Sequence, residues 1–112
     1  ENIPVANLQE VYPGEAEIVT TISGQTAQRF AVRIERVNMT ASDPNRNLLL
    51  RITDPELLRA TGGIVQGMSG SPILQDGRLV GAVTHVLVND PTRGYGIFAA
   101  TMLKRADAVQ GR

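Results

Sequence analysis

The sequence contains no cysteine. Disulfides, thiolate metal sites and a cysteine nucleophile are therefore excluded, although the compartment stays open. It contains one histidine, His85, too few for a His-rich metal site. Net charge is also missing, because 11 Lys and Arg balance 11 Asp and Glu. That leaves no basic field to draw nucleic acid or an anionic membrane, so nothing argues for either as the main partner, and no nucleic acid is expected. No run approaches the roughly 20 apolar residues that a membrane-spanning helix needs. Nothing repeats, no tract is of low complexity, and no motif calls for a metal or another cofactor. An initiator Met and a signal peptide are absent at Glu1, so the expectation is a longer precursor from which an upstream part has been removed.

What is present fits one domain. A chain of 112 residues buries about 65% of its unfolded surface, enough for one modest core. After a Pro-containing start, from Ile3-Pro4 to Tyr12-Pro13-Gly14, the pattern becomes strand-like. Ala16, Ile18 and Ile22 share one face, with Glu15, Glu17 and Thr21 on the other, and Ser23-Gly24 reads as a turn. Phe30, Val32 and Ile34 alternate with Arg29, Arg33 and Glu35 in a second half-buried strand. The loop Ser42-Asp43-Pro44-Asn45 leads into a strand at Leu48–Ile52. Thr53 or Asp54 can cap a short helix that has Pro55 at its first position.

Further on, Ile73-Leu74 and Leu79-Val80 flank Asp76-Gly77, a pair suited to a tight hairpin. The strand from Leu79 to Val88 is β-branched and mostly apolar, which predicts a central position. Asn89-Asp90-Pro91-Thr92 reads as a turn, Gly94–Phe98 as a last strand, and Ala99–Val109 as a terminal helix. About six strands with short connections predict an all-β fold, a small closed or nearly closed barrel with a C-terminal helix.

The stretch that carries chemistry is Gly63-Ile64-Val65-Gln66-Gly67-Met68-Ser69-Gly70-Ser71-Pro72-Ile73. Acyl transfer needs an exposed hydroxyl, and backbone N–H groups converging where a carbonyl oxygen becomes negative. A Gly-x-Ser-Gly turn can supply both, with the amides of Gly67 and Ser69 as the oxyanion hole. By itself this four-residue pattern is a weak signal that an ordinary glycine-rich turn explains better. Its continuation does not: Gly-x-Ser-Gly-x-Pro, two apolar residues, the Asp76-Gly77 hairpin and then Gly81-Ala82-Val83-Thr84 resemble the nucleophile hairpin of chymotrypsin-like proteases. That resemblance implies that Thr84, His85 and Val86 border the substrate.

The likeness extends further. Residues 61–73 and 81–96, the latter including Thr84-His85-Val86 and Asn89-Asp90-Pro91-Thr92-Arg93-Gly94, are similar to the SpoIVB peptidase family of endospore formers. The resemblance implies a serine endopeptidase, exported from the forespore into the space between its membranes, that cleaves itself and then a membrane-bound regulatory protein. It implies Ser69 as nucleophile and Asp54, fifteen positions earlier, as the acid that orients a histidine. The family's histidine lies upstream in a Gly-His motif, in a first barrel behind a PDZ domain, and the sequence contains neither. Residues 1–112 thus read as the C-terminal barrel, with the N-terminal part of the same protein as its partner.

Simpler readings stand beside these. Asp54 has a complete structural explanation as a helix cap. Ser71 occupies the variable position of the motif and reads as structural. His85 can be the wall of the substrate pocket, an ordinary histidine, or, as the one imidazole present, the base. Asp90 before Pro91 reads as a turn residue bonding its own backbone, and Asn38-Met39-Thr40 as a chance match to a glycosylation acceptor. At the level of the whole chain, a peptide-binding barrel without catalysis and a structural half-barrel that only pairs with an N-terminal part remain as alternatives.

Overall fold

A computed structural model of the chain describes residues 3–109 apart from Ser23, Gln25 and Gln66. Six strands form one closed antiparallel barrel: β1 (Gly14–Thr20), β2 (Gln28–Val37), β3 (Leu48–Ile52), β4 (Pro72–Gln75), β5 (Arg78–Leu87) and β6 (Asp90–Phe98). Around the barrel they run in the order β1, β2, β3, β6, β5, β4, and β4 closes on β1 through Glu17–Leu74 and Ile18–Ile73. Helix α1 (Pro55–Thr61) bridges β3 and the nucleophile segment, and α2 (Ala99–Val109) follows β6.

Strand alternation decides what lies inside. Ala16 and Ile18 of β1, Phe30, Val32 and Ile34 of β2, and Leu48, Leu50 and Ile52 of β3 are all buried and meet in one cluster. Ile73, Val80, Val83 and Phe98 close it from the other side. Ile22 lies past the end of β1 and only packs against the cluster. The predicted turn at Ser23-Gly24 includes Ser23, which is outside the described residues.

Three local predictions hold in detail. Asp54 caps α1, with Pro55 at its first position. Asp76 (φ 53°) and Gly77 (φ 75°) form the two-residue turn between β4 and β5, where the strand twist favours positive φ. The terminal helix spans Ala99–Val109.

One prediction fails. The turn between β5 and β6 is at Val88-Asn89, and the expected turn Asn89–Thr92 mostly belongs to β6. Leu87 pairs with Asp90 and Val86 with Gly94, so residues 91–93 bulge out opposite no residue of β5. Asp90 Oδ1 accepts hydrogen bonds from the Thr92 amide (3.1 Å) and the Thr92 hydroxyl (2.5 Å). The self-bonding expected of Asp90 is therefore present, but it shapes a bulge. Pro91 fits there because a bulge asks for no ladder N–H. Its carbonyl instead accepts from Ile64 N at 2.7 Å, tying the hairpin to the segment before Ser69.

Candidate active site

The segment leading to Ser69 is held at Thr61, Gly63, Ile64, Val65 and Met68. α1 ends at Gly62 in the left-handed conformation, φ 75° and ψ 3°. The Thr61 hydroxyl donates to Gly63 O at 2.6 Å and accepts from Gly63 N at 3.3 Å. Ile64 is buried and its amide is bound to Pro91. Met68 N donates to Val65 O (3.1 Å), closing a turn whose Met68 side chain enters the core.

Just beyond, Gly70 N donates to Val83 O (2.7 Å), Ser71 N to Met68 O (3.0 Å) and Val83 N to Ser71 O (3.0 Å). Gly67 and Gly70 flank this turn with φ of 103° and 90°, angles that side-chain-bearing residues rarely adopt. The result is a reversal in which Met68 and Ser71 point inward and Ser69 stands exposed between them. Among the described residues, no acceptor is hydrogen-bonded to the amide of Gly67 or of Ser69.

The Ser69 hydroxyl donates to Thr84 O at 3.1 Å, and the Thr84 hydroxyl donates to Asn45 O at 2.7 Å. Ser69, Thr84, His85 and Val86 line one cleft of about 350 Å³ together with Ile64 and Val65. β4 pairs with β5 only as far as Pro72–Ala82. Beyond Val83, the edge of β5 that faces Ser69 has no neighbouring strand among the described residues. His85 is exposed and pairs through its backbone with Tyr95 of β6. Ser69 Oγ thus meets a main-chain carbonyl and not an imidazole.

Asp54 is not among the residues that line that cleft. Its Oδ1 accepts from Glu56 N (2.9 Å) and Leu57 N (3.3 Å), and its Oδ2 accepts from Ala31 N (3.1 Å). The Ala31 amide in particular, then those of Leu57 and Glu56, hold its carboxyl below the usual carboxylate range, while partial burial pushes the other way. The cap predicted for Asp54 is real, and it also fastens α1 to β2. Nothing in the local pattern marks Asn45 as the support of Thr84, and Ile64 and Val65 could be recognised only as part of a motif.

A closed six-stranded antiparallel barrel with a C-terminal helix, and a serine turn seated on its fifth strand, defines a chymotrypsin-like barrel. The chain belongs to the SpoIVB peptidase S55 family, which it matches over residues 1–103. Among curated proteins, none matches it.

Proposed function

We propose that the chain carries the nucleophile and oxyanion hole of a serine endopeptidase. The observation that carries this reading is the turn at Ser69: an exposed hydroxyl, held between buried Met68 and Ser71, beside two amides and a strand edge that have no partner among the described residues. A peptide laid antiparallel along Thr84–Val86 extends the sheet. Its scissile carbonyl then reaches Ser69.

In the reaction, Ser69 Oγ forms the bond to the carbonyl carbon while its proton passes to the histidine of the upstream Gly-His motif. The Gly67 and Ser69 amides hold the resulting oxyanion, each contributing about 3–4 kcal/mol in the transition state. The imidazolium returns the proton to the leaving amine as the C–N bond breaks, and water reverses the sequence to release the acyl group. Asp54 orients the imidazole in this reading. A carboxylate has about four acceptor sites, and Asp54 uses three on main-chain amides, so capping and orienting do not exclude each other. The family extends the proposal to self-cleavage, and to cleavage of a membrane-bound regulatory protein during sporulation, with the enzyme exported from the forespore.

A peptide-binding barrel without catalysis would use the same strand edge. Ser69→Ala in the complete protein separates the two. It should abolish self-cleavage on a denaturing gel, a loss of about a millionfold in comparable triads, and leave the melting point unchanged because Ser69 is exposed. Undiminished self-cleavage would remove Ser69 from the mechanism.

A further inference from the structure

A second cleft of about 250 Å³ lies between the β2–β3 loop and β6, with Arg36, Asp43, Arg46 and Tyr95 among its lining residues. Its volume suits one side chain better than a drug-sized ligand. Arg46 stacks over Tyr95, with its guanidinium carbon 5.2 Å from the ring centre. Arg36 has no carboxylate partner among the described residues. The one acid present, Asp43, is 3.9 Å from Arg46 Nε, beyond hydrogen-bonding distance, and its other oxygen accepts from Asn45 N. Two guanidinium groups against one carboxylate leave the cleft positive.

Its position links it to Ser69. Tyr95 is the direct cross-strand neighbour of His85, and directly opposed residues of an antiparallel pair project from the same face. His85 lines the Ser69 cleft and Tyr95 the second one. The loop between them is tied in by the Thr84 hydroxyl on Asn45 O. A peptide running antiparallel to β5 passes Val86 and His85 before it reaches Ser69. Residues preceding the scissile bond therefore pass along the opposite edge of β5, two strand spacings or about 10 Å from Tyr95, within reach of a long acidic side chain and an arginine extended toward each other.

We infer that this cleft is a specificity subsite for an acidic side chain on the N-terminal side of the cleaved bond, with Arg36 and Arg46 as the recognising groups. The inference rests on the proposed binding of substrate along Thr84–Val86. Arg46 stacks on the Tyr95 ring, and its planar guanidinium fork can bind a carboxylate through two parallel hydrogen bonds. Leu49, also in the lining, offers an apolar surface to the aliphatic stem of a Glu.

The test is amide NMR on the Ser69→Ala chain. The probes are N-acetylglutamate methylamide, its glutamine counterpart, and blocked octapeptides with Glu or Gln at each of the first four positions. We expect N-acetylglutamate methylamide to shift Arg46 and Tyr95, and the glutamine counterpart not to. One Glu position should bind roughly three- to tenfold more tightly than Gln, a preference weakened by salt and lost in Arg46→Gln and Arg36→Gln. Peptides that shift Thr84–Val86 equally with Glu or Gln would overturn the subsite and leave strand addition standing. Acidic probes that shift Arg46 and Tyr95 while no peptide shifts Thr84–Val86 would keep the anion site and sink its role in peptide cleavage. No shift at either place would overturn both.

Discussion

Replacing Asp54 by Asn changes one atom type and asks two separate questions. As a helix cap, Asn serves about as well as Asp, so a capping role alone predicts almost no loss of stability. The structure adds a third bond, from Ala31 N to Oδ2 at 3.1 Å. In the Asp54→Asn variant the side-chain NH₂ would meet that N–H donor to donor. A hydrogen bond to a charged acceptor contributes about 1.5–3 kcal/mol. Asp54 is only half-buried, so the lower end applies and the loss should be about 1.5 kcal/mol. For a domain of this size that lowers the melting point by roughly 6–12 °C. Asp54→Ser, which can cap but is too short to reach Ala31, should lose a similar amount, and Asp54→Ala about 1 kcal/mol more. Calorimetric melts at pH 7 give the magnitudes, and hydrogen exchange at Ala31 gives the location. An Asn variant that melts within about 1 °C of wild type, with Ala31 exchange unchanged, would show that the Ala31–Asp54 bond adds nothing to stability. Under the proposed function, in a chain that also carries the histidine, the same substitution should slow turnover by about 10⁴ if Asp54 orients it, far more than 1.5 kcal/mol of stability can account for.

Other substitutions test neighbouring parts of the structure. A Cβ on Gly63 would sit 2.3 Å from Pro91 O at a φ of +139°, so Gly63→Ala should lose about 3 kcal/mol or more and release Ile64 from Pro91, measured by urea unfolding. Glu35 binds Arg51 (2.7 Å) and Arg93 (2.9 Å), and the Arg51 hydrogen bond first, with that of Arg93, holds its carboxyl below the usual range against partial burial. A carboxyl that is more acidic folded than unfolded stabilises the fold above about pH 4 and loses that contribution as pH falls through the folded value. Glu35→Gln should therefore lower the urea midpoint at pH 7 and leave it nearly unchanged at pH 2.5. The 112-residue chain by itself should resist a fluorophosphonate probe, because Ser69 meets a carbonyl and no base. Rapid labelling that is lost in His85→Ala would instead make His85 the base.

Much of the barrel is written in local pattern. Alternation put Phe30, Val32 and Ile34 inside, Asp76-Gly77 made the hairpin turn, and Asp54-Pro55 started α1. These are near-neighbour effects, set by side-chain direction and allowed backbone angles, so sequence is enough to see them. The Gly-x-Ser-Gly-x-Pro run likewise announced the turn at Ser69. What sequence could not decide depends on residues far apart along the chain. Asn89–Thr92 looks like a turn, yet most of it joins β6 as a bulge whose Pro91 carbonyl accepts from Ile64 N, 27 positions away. Asp54 looks like a simple cap until β2 brings Ala31 to it, 23 positions away. The positive cleft exists only because closing the barrel sets Tyr95 of β6 beneath Arg46 of the β2–β3 loop. Periodicity records which way a side chain points. Only closure of the sheet decides what it meets there.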